Sequence, residues 1–317
     1  MHSQDFEVIT AAAEAVADDK AGWLATVVAV HGSSPRPPGS MALFLPPDSQ
    51  IGSLSGGCVE EELMASINAG DFPADAPSVL QYGVSAEENA RLGLPCGGHL
   101  TVFLQALLPD RDRDWLQNVT DALRQRRAVR REVVCANGRT SMMNVAGFEP
   151  LLFDEETLCQ SFGPRQRMLL VGAGQLAASV AELAVALDYD VMVCDPRDSA
   201  RRDWRGPDVP VIDGMPDDAV RAHASDGQSV VITLTHDPRI DDMALMEALE
   251  SDTWYVGALG SVKTTEARKE RLSLLGVPEA SIARLHAPVG IDIGSKTPPE
   301  IAVSILAELT RLRRRGS

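Results

Sequence analysis

The sequence predicts an α/β protein in which a small N-terminal α/β (α+β) domain precedes a doubly wound, parallel-sheet domain. Two observations in the second half carry this. From Arg167 onward, apolar strand-like runs alternate with amphipathic helical runs over short links, the pattern of a parallel sheet covered on both faces. The first of these runs ends in Gly172-Ala173-Gly174-Gln175-Leu176-Ala177, a G-x-G-x-x-A turn that opens a helix. In the first half, short apolar runs are broken by proline- and glycine-rich loops, as in a smaller mixed unit.

Taken in order, Phe6 to Val16 carry apolar positions at helical spacing and predict a first helix. "WLATVVAVHG" (Trp23 to Gly32) is β-branched and apolar, then stops at glycine as a buried strand does. "SSPRPPGS" (Ser33 to Ser40) is a loop, because its prolines and glycine forbid regular structure. "MALFLP" is a second strand. "QIGSLSGG" leads into a helix from Val59 to Ala69, with Val59, Leu63 and Ile67 on one face and Gly70 as its C′ residue. "SVLQYG" and "GHLTVFLQAL" supply two more strands, closing a domain of residues 1–108. Residues 109–165 are expected as a connecting subdomain, with a helix from Trp115 to Ala128 and a hairpin turning at Asn137-Gly138. Residues 166–317 form the Rossmann-like domain, closed by a helix from Pro299 to Arg313.

Composition excludes several classes. The chain carries 45 Asp plus Glu against 29 Lys plus Arg, which opposes a nucleic-acid surface. "RQRRAVRR" (Arg124 to Arg131) and "RLRRR" (Arg311 to Arg315) are local exceptions. Both read most simply as solvated helix ends, where cations suit the dipole, and more sharply as docking points for an acidic partner protein. No apolar run reaches the length of a membrane span. The five cysteines are odd in number and lack CxxC spacing, which opposes a disulfide framework or structural zinc. A soluble, reducing, cytoplasmic setting is expected.

The chemistry-bearing residues are few. In the glycine turn, Gly172 makes the bend, Gly174 lets backbone approach a pyrophosphate, and Ala177 permits close helix packing. Asp195, ending the next strand, stands where an acid accepts from ribose hydroxyls. His236, with Asp237 beside it, follows another strand at the rim where ligands bind in such sheets, and Lys263 lies at a similar rim. Neither completes an acid/base set, and no catalytic residue is assigned. Gly260 closes "YVGALG", and Asp292 sits in the long loop before the last helix. In the first domain, Ser33, Ser34, Arg36 and Gly39 lie on the proline-stiffened loop, where a guanidinium suits phosphate or an oxo-anion. "GSLSGGCVEEEL" puts the bare amides of Gly56 and Gly57, then Cys58 and Glu60, at a helix N-terminus. A bound phosphate should meet those amides with Glu60 to Glu62 pointing away. "GLPCGGH" repeats the theme with Cys96, Gly97 and Gly98. Each glycine turn has a simpler reading as a bend, and each cysteine as a small apolar residue.

Together, "GSSPRPPGS", "GSLSGGCVEEEL", "GLPCGGHLTVFL", "VGAGQLAASVAELA", "DPR", "YVGALGS" and "APVGIDIGSKTPPEIAVSILAEL" resemble the xanthine dehydrogenase accessory proteins, the XdhC/CoxI family. The likeness covers both ends of the chain; residues 109–165 carry no recognisable motif. Ala177 departs from the glycine common in the family at that position.

The resemblance implies a maturation factor. Such a protein binds the molybdenum cofactor, protects it while a cysteine desulfurase helps install the terminal sulfido ligand, and delivers it to a xanthine dehydrogenase-type molybdoenzyme. Members serving aldehyde or carbon monoxide dehydrogenases are expected to handle the cytosine dinucleotide form. On this reading Ser33 to Gly39, Gly56 to Glu60 and Cys96 to Gly98 form one wall of a cleft between the domains, and the glycine turn another. Cys58 is the residue expected nearest molybdenum, and delivery suits a homodimer. Two alternatives stay open: an NAD(P)-dependent oxidoreductase using Asp195 and His236, and a protein-only adapter with a vestigial nucleotide fold.

Overall fold

The computed structural model describes residues 3–32, 36–85, 87–88, 99–145 and 149–315. Its contacts divide into two compact units, Met1–Pro164 and Arg165–Ser317.

The first unit opens with α1 (Ser3–Ala17), β1 (Gly22–His31), β2 (Met41–Leu45), β3 (Ser49–Gly52) and α2 (Cys58–Ala69), followed by β4 (Ser78–Tyr82) and β5 (His99–Leu107). The strands form one antiparallel sheet in the order β3-β2-β1-β5-β4. Central β1 reads as an unbroken apolar run because both its faces are covered. Ala25 and Val27 pack with Val59, Leu63 and Ile67 of α2, and Leu24 packs with Val8, Ile9 and Ala12 of α1. Gly70 ends α2 in the left-handed conformation, as expected of a C-terminal glycine.

The unit continues with α3 (Pro109–Arg124), β6 (Val129–Val134), β7 (Thr140–Asn144), β8 (Leu152–Phe153) and β9 (Thr157–Phe162). The helix starts and stops earlier than its apolar spacing suggests. Pro109 supplies a good first position, and Arg126 at φ 55° ends it with the Arg127 amide donating back to the Ala122 carbonyl. The hairpin at Asn137-Gly138 forms between β6 and β7. The pairing of β6 with β9, and of β9 with β8, has no counterpart in the sequence pattern. It completes a second antiparallel sheet in the order β7-β6-β9-β8. The basic run therefore is not one solvated helix end: it crosses into β6, where the Arg131 side chain is wholly buried.

The second unit comprises β10 (Arg167–Val171), α4 (Gln175–Ala186), β11 (Asp190–Cys194), α5 (Asp198–Arg202), β12 (Val211–Ile212), α6 (Pro216–His223), β13 (Ser229–Thr233) and α7 (Pro238–Glu250). Then follow β14 (Tyr255–Ala258), α8 (Val262–Leu274), α9 (Glu279–Ile282), β15 (Leu285–His286) and α10 (Pro298–Arg315). All strands are parallel in the order β12-β11-β10-β13-β14-β15, the doubly wound arrangement the sequence predicts. Two apolar layers cover it. Met168, Leu170 and Ile232 pack on Val180 and Ala184 of α4 and Ile305 and Leu309 of α10. Leu169, Val171 and Val231 pack on Val220 of α6 and Leu245 of α7. Among the described residues no helix is long and apolar enough to cross a membrane.

Candidate functional site

The Gly56-Gly57 turn is already filled, by Glu60. Its Oε1 accepts from the amides of Leu54 at 2.7 Å, Ser55 at 3.0 Å and Gly56 at 3.2 Å, and from the Ser53 hydroxyl at 2.9 Å. Its Oε2 accepts from the Ser55 hydroxyl at 2.7 Å and the Gly57 amide at 3.0 Å. Burial alone would raise this carboxyl, but the donors from Ser55, Leu54 and Gly56 outweigh it and bring the pKa down to about 2. This corrects the expectation that Glu60 points away from the amides. Glu60 is the third residue of α2, and its side chain reaches back to the Gly57 N–H in the manner of a capping box. Gly57 adopts φ 155° and Gly56 φ 107°, which keeps the amides converging on one point. Cys58, the first residue of α2, is exposed, as is Glu61. Arg36 and Gly39 lie on the loop between β1 and β2, while Ser33, Ser34, Cys96, Gly97 and Gly98 lie outside the described residues.

In the second unit, Gly172, Gly174, Asp195, His236 and Gly260 come together at the C-terminal edge of the parallel sheet, with Ala177 buried in the first turn of α4. Gly172 has φ 109°, and a Cβ there would stand 2.8 Å from Thr235 Cγ2. Gly174 has φ −91° and open space around it. Gly172→Ala is therefore expected to cost about 2–4 kcal/mol, and Gly174→Ala less than about 1 kcal/mol, in urea unfolding. Equal costs would contradict the close approach of the two strand ends.

Asp195 is wholly buried and turned inward. Its Oδ1 accepts from the Arg197 amide and Nε, and its Oδ2 from Arg197 Nη2 at 2.7 Å and the Ala173 amide at 2.9 Å. Burial raises this carboxyl, but the Arg197 and Ala173 bonds prevail and hold it below the ordinary range. With two bonds to each oxygen, it has little capacity left for ribose hydroxyls.

Sequence reasoning missed the floor of this edge. Buried Asp241 on α7 accepts from the Thr235 hydroxyl at 2.7 Å and from Arg268 Nη2 at 3.0 Å, and Arg268 Nη1 donates to the Leu259 carbonyl at 3.0 Å. Thr235 in turn touches the Gly172 turn, so one network ties the ends of β10, β13 and β14. No local signal marks Arg268, which in "EARKERL" resembles any charge on a solvated helix. His236 is exposed at the rim. Asp292 is exposed too, its carboxylate accepting from the Gly294 amide as a loop residue does. That loop is anchored by α10 instead: Glu308 accepts from the Gly290 amide at 2.6 Å and pairs with His286 Nδ1 at 3.0 Å, with the His286 ring stacked on Tyr255. Among the described residues, no three His, Cys, Asp or Glu side chains form a metal-binding set.

Two family models match the chain: one described as the XdhC and CoxI family, over residues 7–83, and one as the XdhC Rossmann domain, over residues 168–309. A Bacillus subtilis protein named as a probable subunit of xanthine dehydrogenase is 28% identical, the match covering 94% of this chain and 95% of the relative. An Escherichia coli protein named molybdenum cofactor insertion chaperone PaoD is 28% identical over 96% of this chain and 88% of its own. A crystal structure described as a xanthine dehydrogenase from Bacillus halodurans shares the fold with a TM-score of 0.76 at 26% identity, covering 99% of this chain and 97% of that one.

Proposed function

We propose, for a chain that belongs to the XdhC and CoxI family, that it is a chaperone that takes up the molybdenum cofactor as cargo and hands it to a xanthine dehydrogenase-type enzyme. The observation that carries this is the likeness, across both units, to a relative named a molybdenum cofactor insertion chaperone. Protection of the cofactor, support of its sulfuration by a cysteine desulfurase, and delivery from a homodimer are the finer parts of the same reading. So is acceptance of the cytosine dinucleotide form.

The cargo is a phosphorylated pterin with a thiophilic metal, and the residues suit it in part. The first-turn amides at Gly174 to Ala177 have no partner within α4 and suit a phosphate. They suit it better than the amides of Gly56 and Gly57, which hold Glu60. Arg36 on its stiff loop suits a second anionic group, and exposed Cys58 suits the soft metal. Ser33, Ser34 and Cys96 to Gly98 enter on sequence grounds alone. The saturation of Asp195 speaks against the NAD(P)-dependent oxidoreductase, which needs that carboxylate for ribose.

Anaerobic loading tests the reading. The protein should retain pterin, detected by fluorescence after oxidation, and molybdenum with it. NADH should not displace the cofactor. Cys58→Ala should shorten retention more than Cys135→Ala. Failure to retain either pterin or molybdenum would remove the proposal. Saturable NADH binding without pterin would favour the oxidoreductase, and neither ligand binding would leave the adapter.

A further inference from the structure

We propose that Arg131 and Gln160, in the stretch without recognisable motifs, are positioning residues that brace the Arg36 loop from beneath. Arg131 is wholly buried between the two sheets of the first unit, its guanidinium 5.0 Å from the Trp115 ring centroid and 5.7 Å from that of Phe162. Its Nε donates to Gln160 Oε1 at 3.0 Å and its Nη2 to the Thr26 hydroxyl at 3.3 Å, while Nη1 has no partner among the described residues. Gln160, itself buried, donates from Nε2 to the Gly39 carbonyl at 3.3 Å. Gly39 is the point where the loop returns to the sheet: its amide donates to the Val27 carbonyl, and the Val27 amide to the Ser40 carbonyl.

The direction of this chain of bonds follows from the donor inventory. A guanidinium has five N–H groups and no acceptor, so the amide facing it must present oxygen. The Gln160 NH₂ is thereby forced to the opposite side, where the Gly39 carbonyl stands. Without Arg131 the two ends of the amide would be nearly interchangeable in shape, and the bond to the loop would lose its orientation. Arg131 is a poor device for stability alone. It is a buried cation lacking a carboxylate contact, and burial brings its pKa down to about 10 despite the charge of Asp112. That carboxylate is engaged elsewhere, accepting from the Leu108 amide, Arg111 Nε and Trp115 Nε1. What a buried Arg–Gln pair offers is orientation of one loop, the kind of specificity for which buried polar groups are retained in some proteins.

The relevance of the brace to cargo rests on the reading that the Arg36 loop grips the cofactor. Gln160→Glu separates the two claims. A carboxylate at this position still pairs with Arg131, so the urea midpoint should stay at or above that of the wild type. It cannot donate to the Gly39 carbonyl, and the loop should loosen. In hydrogen exchange of the full chain, the Gly39 and Ser40 amides should then exchange about tenfold faster, the loss expected for one hydrogen bond, while β5 amides keep their rates. Unchanged exchange at Gly39 and Ser40 in Gln160→Glu, checked against Gln160→Leu, would overturn the brace. With the loop loosened, pterin retention should shorten by about the same factor. Faster exchange with unchanged retention would uphold the brace and overturn the assignment of the loop to the cofactor.

Discussion

Glu60→Gln is expected to lower the unfolding free energy by about 3 kcal/mol at pH 7, because a carboxyl moved from 4.5 to about 2 on folding contributes that much. The cause is local. Neither end of a glutamine can reproduce two acceptor oxygens: its NH₂ would face either the Gly57 amide and Ser55 hydroxyl, or the Leu54, Ser55 and Gly56 amides. The amides facing that NH₂ would lose their acceptor, the buried Leu54 N–H at the greatest cost. The sign of the pH dependence follows from a folded-state pKa below the unfolded one. The contribution is complete above about pH 4.5 and is lost as pH falls towards about 2. The gap between wild type and variant in urea unfolding should therefore narrow from about 3 kcal/mol at pH 7 to about 1.4 kcal/mol at pH 3, and close only as the pH reaches about 2. A difference under about 1 kcal/mol at pH 7, or one independent of pH, would show that the turn does not depend on this anion.

Arg268→Ala is expected to cost about 3–5 kcal/mol, since it strips the partner from a carboxylate buried beneath the sheet edge. Asp241 is 1% exposed, and burial already pushes its carboxyl upward. Deprived of Arg268, it must hold an unpaired charge or take a proton on folding. The penalty should therefore be larger at pH 7 than at pH 4, where both folded and unfolded states hold the proton more readily. The double variant Asp241→Leu with Arg268→Met should recover most of the loss, because replacing both charges removes the desolvation penalty with them. A double variant as unstable as Arg268→Ala would point to the Thr235 contact, and not the ion pair, as the support of the strand ends.

Much of the architecture was legible. The alternation after Arg167, the glycine turn and the apolar face of α2 each depend on residues close in sequence, and each appears where the local pattern puts it. The weak places share a cause. Sheet pairing of β9 with β6 leaves no local mark, because its strand is short and its polar residues Gln160 and Ser161 are buried by partners far along the chain. At the site, the turn at Gly56-Gly57 is recognisable in the sequence as an anion pocket, but the local pattern points to a foreign occupant. The chain supplies its own anion three residues later, and a helix-start glutamate reads identically whether it points outward or back.

The sequence by itself determined the fold class, the glycine turns and the motifs that mark the family. These rest on backbone geometry and periodic burial, which neighbouring residues dictate. Tertiary structure alone decided the fate of the charges. Arg131, from a run that looks solvated in the sequence, reaches Thr26, 105 residues away, and its partner Gln160 reaches Gly39, 121 residues away. Asp195 is claimed by Arg197 and Glu60 by its own turn. A charged side chain has no periodic signature, and it can be buried only where donors or acceptors gather to replace water; their gathering is a property of the folded chain.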